Sequence, residues 1–543
     1  MTVTTPAEID GLDGDPRITA EYGARPIYDR YDYVIIGAGT SGSVVAGRLI
    51  EDTDASVLVI EAGGTDQSRA VLDPLTWFSA NIGTERDWQF VAEPSAHVNG
   101  RALTLPMGRL VGGGSSINAM IWARGHREDF DYWARVTGDD AWNYRNAVAT
   151  YLRVEDFAGP ADPVRRGSGG RIYVEPTPNA SALANAFLEG CEAVGIPRFA
   201  DANGVMMEGD GGAALANLRV KDGKRQNIPA SYLWDHLGDP RLTVATGATV
   251  HRISIDRAKR ATGVTVVIDG ELRNITASTK IVLAAGAINT PKILMLSGIG
   301  RAQDLAPLGI TIEADLQGVG QNFQDHILAA GCNWAFPDDN VQDPLNNGGE
   351  ANFFWKSDSA LDRPDLQPFV ISYPYYTDTL QARHPAPPNG WAIAPGLVSP
   401  ASRGQVRIAS TDPEATPVVD AGFLQDPRDL EALTYCVDLC RDIGNSAPLR
   451  PFVKREVVPG PGRTGREKRD FARNSAWTYF HQSCTAKMGV DDMSVTDPRL
   501  NVYGIEGLCI TDASVMPRVT TGNTMAPTVV IAERCADILT GKA

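Results

Sequence analysis

The chain has 543 residues, 43% hydrophobic and 21% charged, enough to bury a large core over several domain-sized units without a disulfide or metal staple. Asp and Glu total 66 against 50 Lys and Arg, and the resulting net charge of −16 repels phosphate backbones and anionic lipid, which argues against nucleic-acid and membrane partners. Apolar runs fall far short of the roughly 20 residues of a membrane span, the start is acidic rather than signal-like, and seven scattered cysteines read as reduced thiols, so a cytoplasmic enzyme without a metal is expected.

Residues 1–30 read as an acidic arm. Tyr33 to Ile36 then forms a short β-branched run with the continuous apolarity of a buried parallel strand. It passes straight into Gly37-Ala38-Gly39-Thr40-Ser41-Gly42, and Val44, Val45 and Leu49 follow at helical spacing. A second strand, Val57 to Ile60, ends on Glu61. In such a βαβ unit Gly37 permits the tight turn, Gly39 lets a pyrophosphate approach the backbone, and Gly42 lets helix and strand pack closely. Glu61 would accept hydrogen bonds from ribose hydroxyls, and an acid there favours FAD or NAD over NADP. A second glycine-rich stretch, Gly108 to Asn118, carries Gly112-Gly113-Gly114-Ser115-Ser116 with Val111, Ile117, Met120, Ile121 and Trp122 around it. That neighbourhood is too apolar for a solvated loop and reads as a buried turn facing a cofactor.

Further along, Lys280 to Ala284 reads as a strand closing on Ala285-Gly286. The stretches 384–390 and 459–465 read as Pro- and Gly-rich loops. Segment 427–441 reads as a helix capped by Asp426 with Pro427 at its first position. Thr524 to Leu539 reads as a terminal helix with Asn523 in a favoured N-cap position.

Taken together, Gly108 to Gly125, Gly286 to Gly300, Gly318 to His326, His481 to Gly489 and Thr511 to Ala532 resemble, in family order, the signatures of the glucose–methanol–choline oxidoreductases. The resemblance covers essentially the whole chain. It implies an α/β fold (α+β overall): a Rossmann-like FAD-binding domain with a substrate domain on an antiparallel sheet. The implied division is an arm at 1–30, FAD-binding parts at 31–150, 215–330 and 476–543, and substrate parts at 151–214 and 331–475. The cofactor set is then Gly37, Gly39, Thr40, Ser41, Gly42 and Glu61 from the first motif. The second supplies Arg109, Val111, Gly112, Gly114, Ser115, Asn118, Ala119 and Met120, and elsewhere Val250, Ala285, Asp512, Ala513, Thr524 and Met525 join it. Some members bond flavin covalently through a histidine where this chain has Ile117, so the FAD is expected to be non-covalent.

Oxidising an alcohol needs a base for its hydroxyl proton and a hydrogen-bond partner for its oxygen while its carbon gives up hydride. Of seven histidines (His97, His126, His236, His251, His326, His384 and His481), His481 stands at the family's catalytic position. Ser483-Cys484 departs from the small apolar residue and glycine of many relatives. Asn523 matches the second catalytic position, which the family fills with Asn or His.

The substrate is less legible. Phe353, Phe354, Trp355 and the run Phe369 to Tyr376 read first as sheet core and second as an aromatic wall over the flavin, and Phe480 would add to that wall. Glu350 falls near where choline-oxidising relatives hold the trimethylammonium group, but reads first as a structurally paired side chain. The balance favours a small-molecule primary alcohol, with O2 or a quinone-like carrier as acceptor. The alternative is a hydroxynitrile lyase that keeps FAD structurally.

Overall fold

The computed structural model describes Tyr22 and residues 25–543; most of the expected N-terminal arm lies outside the described residues. The described residues build two large sheets with separate cores, beside six small sheets of two or three strands. The first contains β1 (Arg30–Ile36), β2 (Val57–Ile60), β3 (Leu242–Ala245), β4 (Thr249–Ile255), β5 (Ala261–Ile268), β6 (Glu271–Leu283) and β7 (Leu508–Ile510), in the order β3-β2-β1-β6-β5-β4 with β7 also on β6. Strands β3, β2, β1, β6 and β7 run parallel, whereas β4, β5 and the first half of β6 form an antiparallel meander. Helix α1 (Thr40–Asp52) carries the chain from β1 to β2.

Strand β6 is longer than the sequence pattern indicates. It starts at Glu271 rather than Lys280, and only its last three residues are uniformly buried. Its exposed first half pairs with β5, while Ile281 to Leu283 lies between β1 and β7. Continuous apolarity marks a strand covered on both faces, so it marked only that end.

The second sheet is antiparallel, with strand order 455–458, 332–335, 390–394, 369–371, 351–354 and 212–215. Helix α2 (Gly286–Leu296) follows β6 directly. Helix α3 (Pro427–Gly444) carries the expected cap, Asp426 accepting from the Arg428 N–H. Helix α4 (Met525–Leu539) is buried along most of its length and packs against α1. Among the described residues no helix is long and apolar enough to cross a membrane.

Candidate active site

A long cavity runs from the carboxyl ends of β1 and β2 to the junction of the two sheets. Open parallel sheets place ligands at this position. Gly37 turns the chain at φ +101°, where a Cβ would meet the Ala284 carbonyl at 2.4 Å. A Cβ on Gly42 would lie 1.9 Å from the Gly37 carbonyl oxygen, so α1 and β1 touch through that glycine. Gly39, Thr40, Ser41 and Gly114 face the cavity, and a Cβ on Gly39 or Gly114 would meet nothing closer than 4.0 Å. The Ser41 hydroxyl is buried without a hydrogen-bond partner. It stands at the start of α1, where a phosphate oxygen would satisfy both the hydroxyl and the helix N–H groups.

Glu61 is buried on the same wall. Each carboxylate oxygen accepts one backbone N–H, from Gly63 at 2.9 Å and Ala38 at 3.0 Å, leaving lone pairs for ribose hydroxyls. Desolvation pushes its pKa up to about 7. Val250 and Ala285 also line the cavity. Asp512 lines it too, its carboxylate accepting from the Gly286 N–H at 2.8 Å and from the Thr290 hydroxyl. Open glycines, an orphaned hydroxyl and a carboxylate with spare acceptor capacity fit FAD.

Asn118, Ala119, Ala513, Thr524 and Met525 line the cavity as well, but six residues of the expected cofactor set do not. Gly42 faces back onto Gly37. The Arg109 guanidinium lies 5.0 Å from the Trp88 ring centroid. Through their backbones Val111 donates to the Gly64 carbonyl at 2.9 Å, just after Glu61, and Gly112 to the Ala38 carbonyl of the first glycine motif at 2.7 Å. Ser115 donates to the Gly112 carbonyl, and Met120 is fully buried in a cluster with Trp77 and Leu218. These residues shape the loop rather than the cavity surface.

The catalytic end comes from chain crossing. Residues 327–329 pair antiparallel with 476–478, and the Tyr479 N–H donates to the His326 carbonyl at 3.0 Å, so His326 and His481 meet although 155 positions separate them. Their Nδ1 atoms are 2.9 Å apart. His481 Nε2 lies 3.1 Å from Asn523 Nδ2, and Asn523 Oδ1 accepts from Gln367 Nε2 at 2.9 Å. An amide N–H facing Nε2 requires a lone pair there, which leaves the His481 proton on Nδ1, donating to His326. Burial lowers the His481 pKa to about 3, and His326 is lowered too, by burial and by His481. At neutral pH both rings are uncharged and Nε2 of His481 is a free base.

The Asp325 carboxyl supports this end. It is fully buried, accepts from the His481 N–H at 2.9 Å and from the Thr478 hydroxyl, and is pushed up to about 7 by desolvation. Asn523 is not the cap of α4. Thr524 occupies that position without a side-chain cap, and the Asn523 amide is committed to His481 and Gln367. Cys484 sits at φ +74°, the left-handed region that glycine enters freely, which explains why glycine suits that position.

The wall around His481 is aromatic. Tyr479 stacks on the His481 ring at 4.9 Å, Phe369 stacks on Tyr479 at 5.7 Å, and Phe480 and Trp77 also line the cavity. Of the aromatic residues flagged around 353–376, only Phe369 reaches the cavity; Phe353, for example, is stacked on Phe187 in the second core. Glu350 does not reach it either. It is buried, with Oε1 accepting from Asn346 at 2.6 Å and Oε2 from the Ser181 N–H at 3.2 Å. The carboxylates lining the cavity are Glu61, Asp512 and Glu414, the last 3.3 Å from His251.

His326, Asp325 and Gln367 were not singled out from sequence. The Gly318 to His326 block ended on an adjacent Asp-His pair, which was the available signal; Gln367 carried none.

The GMC oxidoreductase family is matched over residues 31–328 and again over 400–532. The chain is 34% identical to the oxygen-dependent choline dehydrogenase of Sinorhizobium fredii, over 94% of this chain and 96% of that one. It is likewise 34% identical to the mitochondrial choline dehydrogenase of Homo sapiens, over 95% and 90%. Among solved structures it resembles pyridoxine 4-oxidase from Mesorbium loti, with a TM-score of 0.87 and 31% identity, covering 93% of this chain and 98% of that one.

Proposed function

Given that the chain belongs to the GMC oxidoreductase family, and so is an FAD-dependent oxidoreductase acting on CH–OH groups with O2 or a similar acceptor, we propose that it oxidises an uncharged primary alcohol with a flat apolar body to the aldehyde. In this reading His481 is the base and Asn523 the partner of the substrate oxygen. The observation that carries it is the approach of His481 Nε2 to Asn523 Nδ2 at 3.1 Å, with Tyr479 stacked on the imidazole in an aromatic wall.

Bound FAD supplies the hydride acceptor. Residues Gly39, Thr40, Ser41 and Gly114 would hold the pyrophosphate and Glu61 the ribose. Ile117 lines the cavity with no atom able to bond a flavin carbon, which supports non-covalent binding. His481 Nε2 takes the hydroxyl proton, and Asn523 Nδ2 donates to the oxygen as negative charge develops there. His326 accepts from Nδ1 of His481 and so keeps the reactive lone pair on the cavity side. The Asp325 carboxyl holds the 478–482 backbone that presents the base. Phe369, Tyr479 and Phe480 exclude water and offer stacking surface to a ring.

The choline relatives handle a cation, but here Asp512 is engaged by Gly286 and Thr290, and Glu350 is turned away. That supports a neutral substrate, and the pyridoxine 4-oxidase likeness agrees with it. Seven buried free cysteines fit a cytoplasmic setting.

The test is anaerobic titration of the yellow protein with benzyl and furfuryl alcohols, pyridoxine and choline. Bleaching by an aromatic alcohol, with choline about tenfold or more less efficient, is the expected result. Preferential bleaching by choline overturns the substrate class, and an unchanged spectrum with every alcohol overturns the reading altogether. Readmitting air then measures how well O2 serves as acceptor.

A further inference from the structure

Behind the catalytic end of the cavity lie two arginines that the alcohol chemistry does not use. Arg219 precedes a small hairpin and Arg225 ends it, and they are 0% and 1% exposed. Buried arginines elsewhere in the molecule meet carboxylates: Arg124 and Arg166 pair with Glu155, and Arg363 with Asp129. Among the described residues neither Arg219 nor Arg225 forms an ion pair. Arg219 donates to the Gln226 carbonyl and to Asn118 Oδ1 at 3.1 Å. Arg225 donates to the carbonyls of Val71, Ser115 and Asn118, and to Asn118 Oδ1 at 2.9 Å. Arg219 Nε and Arg225 Nη2 have no partner at all. Burying two neighbouring cations without a counter-charge is expensive, and burial depresses both, Arg219 to about 9 and Arg225 further because Arg219 adds repulsion.

The two guanidiniums converge on one atom, Asn118 Oδ1. The opposite end of that amide faces the cavity, with Asn118 Nδ2 3.6 Å from the Met525 sulfur, two residues beyond Asn523. Two cations drawing on the carbonyl polarise the amide and make its N–H a stronger donor, and their own field extends into a cavity of low dielectric.

We propose that Arg219 and Arg225, acting through Asn118, form an electropositive platform that stabilises the electron density the flavin ring gains on reduction. They are positioning residues, and the missing counter-charge is supplied when the flavin is reduced. The inference rests on FAD dependence alone and is independent of the roles given to His481 and Asn523.

The experiment is the midpoint potential of the FAD-loaded protein, measured by dye equilibration without substrate, together with its Tm. Arg219→Met and Arg225→Met should each shift the reduction equilibrium at least tenfold towards oxidised flavin, a drop of about 30 mV for a two-electron couple. Asn118→Asp covers the case in which the methionine variants fail to fold or to load FAD. Its carboxylate pairs with both guanidiniums, so Tm should hold or rise while the potential still falls at least tenfold in equilibrium terms. A lowered Tm with an unchanged potential in the arginine variants, or an unchanged potential in Asn118→Asp, overturns the proposal. Because no alcohol is used, failure here and failure of the substrate assignment are separate results.

Discussion

The two ends of the cavity are built by different means. At the adenosine end the contacts are mostly backbone: glycines that let chain segments touch, N–H groups at the start of α1, and one acid held by two neighbouring amides. Its parts from Gly37 to Glu61 span 25 consecutive positions. At the catalytic end the contacts are side chain to side chain, among His326, Gln367, His481 and Asn523, drawn together by strand pairing across more than 150 positions. A backbone site can be encoded by a short motif because spacing alone sets its geometry. A side-chain relay depends on the tertiary fold, and each member draws its protonation state from the next.

This contrast can be broken by substitution, with the largest effect at the relay. Replacing His481 by Ala should abolish measurable flavin reduction while FAD stays bound; undiminished reduction would remove the base assignment. In the unaltered protein His481 is depressed to about 3, so its neutral form persists well below the ordinary histidine value of 6.5. The rate of anaerobic flavin reduction should therefore stay level through pH 6.5 and fall only as pH drops towards 3. An inflection near 6.5 would show that burial does not control this ring.

Asn523→Ala should slow reduction by about 10²–10³-fold, the scale of losing one donor to a developing oxyanion. A change in substrate KM alone would reduce Asn523 to a binding residue. His326→Leu leaves the His481 Nδ1–H without its acceptor and frees the ring to present either nitrogen. A loss of about tenfold in the reduction rate, with little change in FAD affinity, is expected. Equal loss in both would make His326 a packing residue.

The adenosine end should answer more quietly, and in binding rather than in rate. In the apoprotein burial raises the Glu61 pKa to about 7, so it is mostly protonated below that value. Ribose hydroxyls donating to it favour the ionised form and lower that pKa, so FAD binding should release a proton. FAD affinity for the apoprotein should accordingly rise with pH up to about 7, and Glu61→Gln should flatten that slope. Isothermal titration in two buffers of different ionisation enthalpy reads the proton directly. At the bottom of the scale, Glu350→Gln should leave the reduction rate within about twofold, since the side chain meets Asn346 and Ser181 rather than the cavity.

The same contrast explains what could be read from the sequence. Strand β1, the glycine turn, α1, β2 and Glu61 were legible because periodicity and spacing are local. The capped helix α3 was legible for the same reason. His481 and Asn523 were reached through resemblance to a family, and nothing local distinguishes them from other histidines or from a helix cap. The cap reading of Asn523 failed because the amide has better partners in space than the N–H groups beside it. Five residues of the second motif, with Gly42 of the first, were expected at the cofactor but do not line the cavity. A glycine-rich loop announces close packing without saying which of its faces meets a ligand. The aromatic run was divided the same way: alternation along a strand sends Phe369 one way and its neighbours another.

The position of β7 has a consequence for biosynthesis. Strand β6 is paired on one side by β1 early in the chain, but its other parallel neighbour, Leu508–Ile510, is translated more than 200 residues later. Helix α4, which packs against α1, follows later still. Throughout that interval the emerging polypeptide carries an open sheet edge and an uncovered apolar helix face, both prone to wrong association. Closure of this sheet thus waits on residues 508–539, and a nascent chain stopped before them should depend on chaperone cover.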